Sequence, residues 1–111
     1  MLFMYITAIC NANFAYMSIS ESLDVQGQLT LTNIQGLHAR AAAVFVRALS
    51  GLRAEVTVSW QDRTVNGRSM LELMTLGAPR GSVLNIAVRG VDAEAALAAL
   101  TKVVENRFYE E

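Results

Sequence analysis

The sequence predicts an α+β fold in the order βαββαβα, an antiparallel sheet with its helices on one side. Three observations predict it. Leu29 with Leu31, Val56 with Val58 and Trp60, and Leu84 with Ile86 and Val88 alternate with other residues, the pattern of strands buried on a single face. Gln61-Asp62 separates the second of these runs from a shorter strand, Arg63 to Asn66, by a turn, too short for the crossover that parallel strands need. Stretches with helical spacing lie between the strands.

The first strand is expected at about Gln28–Thr32, followed by a loop from Asn33 to Gly36. Ala39 to Leu49 reads as the first helix, with Ala42, Phe45, Val46 and Leu49 as its buried stripe and Arg40 and Arg47 on the other side. Gly51 is placed to end it. Val56, Val58 and Trp60, with Glu55, Thr57 and Ser59 facing away, make the second strand and Arg63 to Asn66 a shorter third. Ser69-Met70-Leu71-Glu72 has the form of a capping box, in which the serine serves a free N–H and the glutamate reaches back. It opens a short helix from Met70 to Leu76, halted near Gly77-Ala78-Pro79. Ser82 to Arg89 is the fourth strand. Asp92 then caps a last helix whose inner stripe is Leu97, Leu100, Val104 and Phe108.

A chain of 111 residues with 53% hydrophobic content suits one domain with one core and excludes a disordered polypeptide. Met1 to Tyr16 is apolar, but the first basic residue is Arg40, so the run lacks the charged start of a secretory signal. It is also too short to span a membrane. Ser18 to Gly27 is polar enough for a linker. Residues 1–27 are therefore expected to form an N-terminal extension, poorly ordered or an upstream start, ahead of a domain spanning 28–111. A cleaved signal and an extra docking helix are the alternatives.

The formal charge is −1, and from Gln28 onward 9 basic face 8 acidic residues, Glu21 and Asp24 lying ahead of it. That balance carries no nucleic-acid footprint. Cys10 is the only cysteine and His38 the only histidine, which excludes an intramolecular disulfide, a cysteine zinc site and a multi-histidine metal site. No metal and no cofactor are expected.

The chemistry gathers at Gly36-Leu37-His38-Ala39-Arg40, where strand pattern gives way to helix. This junction puts His38 at the first turn, beside backbone N–H groups without intrahelical partners. Those amides and the positive end of the dipole form an anion site. They favour an uncharged ring with a lone pair free for attack, and favour a phosphoryl group once it has arrived. Arg40 supplies a guanidinium that meets phosphate oxygens with two donors. The bland alternatives are a capping histidine and a solvated arginine.

Gly36-Leu37-His38-Ala39-Arg40 resembles the active-site motif of the histidine-containing phosphocarrier (HPr) family of the phosphoenolpyruvate-dependent phosphotransferase system. Val65-Asn66-Gly67-Arg68-Ser69-Met70-Leu71-Glu72-Leu73-Met74 is similar to that family's second signature, and the resemblance runs from about Gln28 to the C-terminus. It implies an open-faced sandwich, a four-stranded antiparallel sheet with three helices on one face, and first and fourth strands that are neighbours. It implies a phosphoryl carrier: His38 accepts phosphate on Nδ1 from phosphorylated enzyme I and passes it to enzyme IIA-type partners. The sequence by itself does not choose between the ring nitrogens. Arg40 would stabilise the phosphate, with the Ala39 and Arg40 backbone around it. Met70, Leu71 and Met74 would dock the partners; otherwise they are core of the short helix. Ser69 matches a serine that a dedicated ATP-dependent kinase phosphorylates in some members. A cytoplasmic monomer, consumed and regenerated stoichiometrically rather than turning over as an enzyme, is implied.

Two residues depart from the pattern. Ala41 stands where the commonest motif has proline; it restores an N–H donor and loosens the unfolded chain, an effect of about 0.4–1 kcal/mol. Glu72 stands where a small or different residue is more usual, and its carboxylate would repel a phosphate on Ser69. Two other readings compete with the carrier. One is a regulatory member of the family, acting in a nitrogen-type branch or through Ser69. The other is a small interaction module whose histidine only caps a helix.

Overall fold

Seven elements follow one another in the computed structural model, which describes residues 24–110. They are β1 (Asp24–Thr30), α1 (Ala39–Ala48), β2 (Glu55–Trp60), β3 (Arg63–Asn66), α2 (Met70–Leu76), β4 (Val83–Arg89) and α3 (Ala93–Glu105). A short turn, Arg107–Tyr109, comes after them. The apolar leader 1–16, Cys10 and the first part of the expected linker lie outside the described residues.

The four strands form one antiparallel sheet in the order β1-β4-β2-β3. β4 therefore lies between β1 and β2, as the family resemblance implies. Its register sets Leu84 opposite Leu29 and Ile86 opposite Val58. Leu29, Val56, Val58, Leu84, Ile86 and Val88 are all buried, while Gln26, Gln28, Thr57, Asn85 and Ala87 face away and are exposed. One face of the sheet thus carries the helices and the other is open, an open-faced sandwich.

β1 differs from expectation. It begins at Asp24, inside the stretch read as linker, and ends at Thr30 rather than Thr32. Leu31 is still fully buried, donating its N–H to Ser82 O at 2.9 Å. Gly27 occupies an inward position of the strand because Leu97 of α3 fills the space; a Cβ there would stand 3.1 Å from a Leu97 methyl.

Phe45 of α1 and Leu49 at its C-cap, Leu73 and Leu76 of α2, and Leu100 and Val104 of α3 close the core over the sheet. Val46 packs at the rim of this core, half-buried, and so does Leu97. Arg68 ties two layers together, donating to Leu49 O at 3.1 Å and Ala54 O at 3.2 Å. Its guanidinium thus meets a carbonyl at the C-terminal end of α1, where a cation is favoured.

The two ends of α3 differ from expectation. Asp92 is the N-cap of α3 but makes no side-chain bond into the helix; its Oδ2 accepts the Arg53 N–H at 2.7 Å and tethers the β2 approach instead. α3 also stops before Phe108. Asn106 gives both its backbone N–H (3.1 Å) and its Nδ2 (2.8 Å) to Lys102 O, ending the helix. Arg107, Phe108 and Tyr109 then take left-handed φ values of 54°, 55° and 60°. Phe108 is buried nonetheless, reaching the core from this reversed turn and not from the helix stripe. Three successive left-handed residues with Cβ atoms cost about 1–2 kcal/mol each, and the buried ring anchors the turn against that cost.

Candidate functional site

Gly36 shapes the approach to the site. Its φ of +67° is left-handed, and a Cβ would fall 2.4 Å from Ala78 O. Only glycine passes there without displacing backbone. Leu37 follows, buried and donating its N–H to Ala78 O at 2.9 Å, which fixes the loop on the segment after α2.

His38 is the N-cap of α1, with extended backbone angles. Its C=O accepts the Ala42 N–H at 2.8 Å, and its Nδ1 accepts the Arg40 N–H at 3.4 Å. The latter bond is long and readily given up. Among the described residues the Ala39 and Ala41 N–H groups have no partner, so the first turn keeps unpaired donors beside the Arg40 N–H that meets Nδ1. Ala41 is buried and helical, and alanine serves the proline position without disturbing the turn. Arg40 is exposed, and its guanidinium makes no hydrogen bond or ion pair among the described residues. Ile34, Gln35, His38, Ala39, Arg40 and Glu110 line one open concavity.

Two residues of this site were not singled out from the sequence. Glu110 Oε2 lies 2.8 Å from His38 Nε2, and Glu110 Oε1 accepts from Asn33 Nδ2 at 3.2 Å. Asn33 is fully buried and also donates to Gly36 O at 2.7 Å. His38 keeps 27% of its side chain exposed against 9% for Glu110, so the ring remains open to a partner while the carboxylate is enclosed.

Ser69 caps α2 as expected, its Oγ accepting the Glu72 N–H at 3.2 Å. The other half of the box differs. Glu72 Oε1 accepts the Asn66 N–H at 2.9 Å, while the Ser69 N–H goes to Asn66 O at 3.1 Å. Glu72 therefore ties α2 to β3 rather than to its own cap. Met70, Leu71 and Met74 are 41%, 75% and 39% exposed, and Ile34, absent from the sequence reading of the patch, is 68% exposed. α2 packs on α1, so the apolar face of one helix adjoins the helix that His38 opens.

An open-faced sandwich with a histidine capping its first helix beside a free guanidinium defines a phosphocarrier-type domain. The family profile for the PTS HPr component phosphorylation site matches residues 25–106. The phosphocarrier protein HPr of Xylella fastidiosa Temecula1 is 39% identical over 87 residues, covering 78% of this chain and 98% of its own. That of Neisseria meningitidis serogroup A is 38% identical over 82 residues, covering 74% and 92%. Among solved structures, an HPr from Thermoanaerobacter tengcongensis matches with TM-score 0.74 at 34% identity, covering 78% of this chain and 98% of its own. The Bacillus anthracis HPr matches with TM-score 0.69 at 36% identity, covering 73% and 96%. The chain belongs to the HPr family of the phosphoenolpyruvate-dependent phosphotransferase system.

Proposed function

We propose that this chain is a phosphoryl carrier that takes phosphate on His38 from phosphorylated enzyme I and delivers it to enzyme IIA-type partners. One observation carries the reading: Nδ1 faces the first turn of α1, where only a 3.4 Å bond from the Arg40 N–H engages it. In transfer, the Nδ1 lone pair forms the new N–P bond while the donor's bond to phosphorus breaks and its electron pair stays with the donor. The arriving oxygens exchange solvent for the Ala39 and Arg40 amides and the Arg40 guanidinium. Phosphoryl transfer asks mainly for such positioning and charge stabilisation, so a small open site suffices.

Met70, Leu71 and Met74, with Ile34, form the surface on which successive partners dock. Methionine adapts to more than one partner, and the exposed Arg40 at its edge favours fast encounter with acidic surfaces. The chain works as a cytoplasmic monomer with a folded domain from about residue 28 onward, its strand pairing extending to Asp24. No helix among the described residues is long and apolar enough to cross a membrane.

The carrier reading is tested by a chase. Protein labelled through enzyme I and phosphoenolpyruvate, then freed of enzyme I, passes its label to a cognate IIA-type acceptor. A label that never leaves the protein favours the regulatory reading, and no label at all favours the interaction module.

A further inference from the structure

We propose that Glu110 is a positioning residue for phosphoryl transfer, holding His38 in the tautomer whose free lone pair lies on Nδ1. The proposal rests on the carrier reading above and adds the residue that decides which ring nitrogen reacts.

An ionised carboxylate only accepts, so the 2.8 Å contact of Glu110 Oε2 requires a proton on His38 Nε2. In the neutral ring the lone pair then belongs to Nδ1. That atom accepts the Arg40 N–H, which is a role only a lone pair fills. Both contacts select the same tautomer. The side chain of the orienting residue is itself held. Asn33 is fully buried and gives Nδ2 to Glu110 Oε1 at 3.2 Å, and its other bond to Gly36 O fixes the amide's direction.

The backbone is built to deliver this carboxylate. Asn106 stops α3, and the left-handed residues Arg107, Phe108 and Tyr109 turn the chain back. Phe108 is locked into the core, and the Tyr109 and Glu110 N–H groups bond to Asn106 O and Arg107 O at 2.8 and 3.0 Å. Backbone strain of this kind persists where surrounding structure enforces it and concentrates at functional sites. A right-handed continuation of α3 would not make this reversal.

The same contact serves the product. When Nδ1 bonds to phosphorus with the Nε2 proton in place, the ring acquires positive charge. Glu110 meets that charge from the opposite nitrogen, leaving the phosphoryl oxygens to the amides and Arg40. The carboxylate touches the ring and not the phosphoryl group, and so acts through His38.

The experiment uses the full chain, with Glu110→Ala and Glu110→Gln, and two readouts. Long-range proton–nitrogen NMR spectra of the unphosphorylated protein, with the ring neutral, report the tautomer. Rapid-quench labelling with cognate enzyme I and phosphoenolpyruvate reports the transfer rate. Wild type is expected to show the Nε2–H form alone. Glu110→Ala is expected to show mixed tautomers and to take label about tenfold more slowly, the low end for losing a histidine's orienting partner. Glu110→Gln keeps an acceptor oxygen without charge, and its rate falls between the two. Glu110→Ala with either the wild-type rate or the pure Nε2–H form overturns the proposal. A wild-type protein that takes no label, with its spectrum still pure Nε2–H, instead overturns the carrier reading on which the proposal stands.

Discussion

Glu72 Oε1 accepts the Asn66 N–H at 2.9 Å, across the junction between β3 and α2. The carboxylate therefore sits one helical turn from Ser69, whose Oγ holds the Glu72 N–H. A phosphate on Ser69 brings about −1.5 to −2 charges against that carboxylate. Arg68, the neighbouring cation, is committed to Leu49 O and Ala54 O. An ATP-dependent HPr kinase is therefore expected to modify Ser69 slowly, and Glu72→Gln faster at matched kinase concentration. Equal rates of phosphate incorporation in the two proteins contradict this account of the serine.

The cap itself is a separate matter of stability. Ser69→Ala removes the acceptor for the Glu72 N–H and is expected to cost about 0.5–2 kcal/mol. Denaturant unfolding measures it as a lower midpoint with an unchanged slope.

Gly36→Ala is expected to be more damaging. The new Cβ meets Ala78 O at 2.4 Å in a left-handed backbone, a strain of about 1–3 kcal/mol before any clash is relieved. Denaturant unfolding is expected to show the loss, and phosphoryl transfer to fall with it, because the same loop positions Leu37 and His38. In the reversed turn the sign is opposite. Tyr109→Gly relaxes a φ of 60° at an exposed side chain and is expected to raise stability by about 1 kcal/mol.

These positions also show where a sequence stops being readable. β2, β3 and α2 were legible to the residue, because Val56, Val58 and Trp60 alternate and Ser69 and Gly77 punctuate the short helix. β1 starts earlier than its alternation predicts because Gly27, an inward position, gives up its side chain to make room for Leu97. An apolar residue there would have extended the alternation toward Asp24. Phe108 stands at helical spacing from Val104, which predicts it within α3, yet a left-handed turn carries it into the core. At the site, His38, Ala39 and Arg40 share one local motif and were read from it. Glu110 is 72 positions from His38 and Asn33 is 77 from Glu110. No local pattern joins residues at such separations; the fold alone brings them together.

Arg40 separates a phosphate contact from a merely solvated helix face. Its guanidinium is unpaired among the described residues, so Arg40→Ala leaves folding intact. Transfer is expected to slow about 10- to 100-fold, from the ~1.5–3 kcal/mol of a charge-assisted hydrogen bond. Arg47→Ala, on the same helix but outside the concavity that Arg40 lines, is expected to transfer at the wild-type rate. Rapid-quench labelling of both variants measures the difference.

The most direct test is the stoichiometry and position of the label. Incubation with phosphoenolpyruvate and cognate enzyme I is expected to add one acid-labile phosphate per chain, mapped by mass spectrometry to His38. His38→Ala, with an unfolding midpoint close to wild type, is expected to take none. Equal labelling of the two proteins would contradict the account.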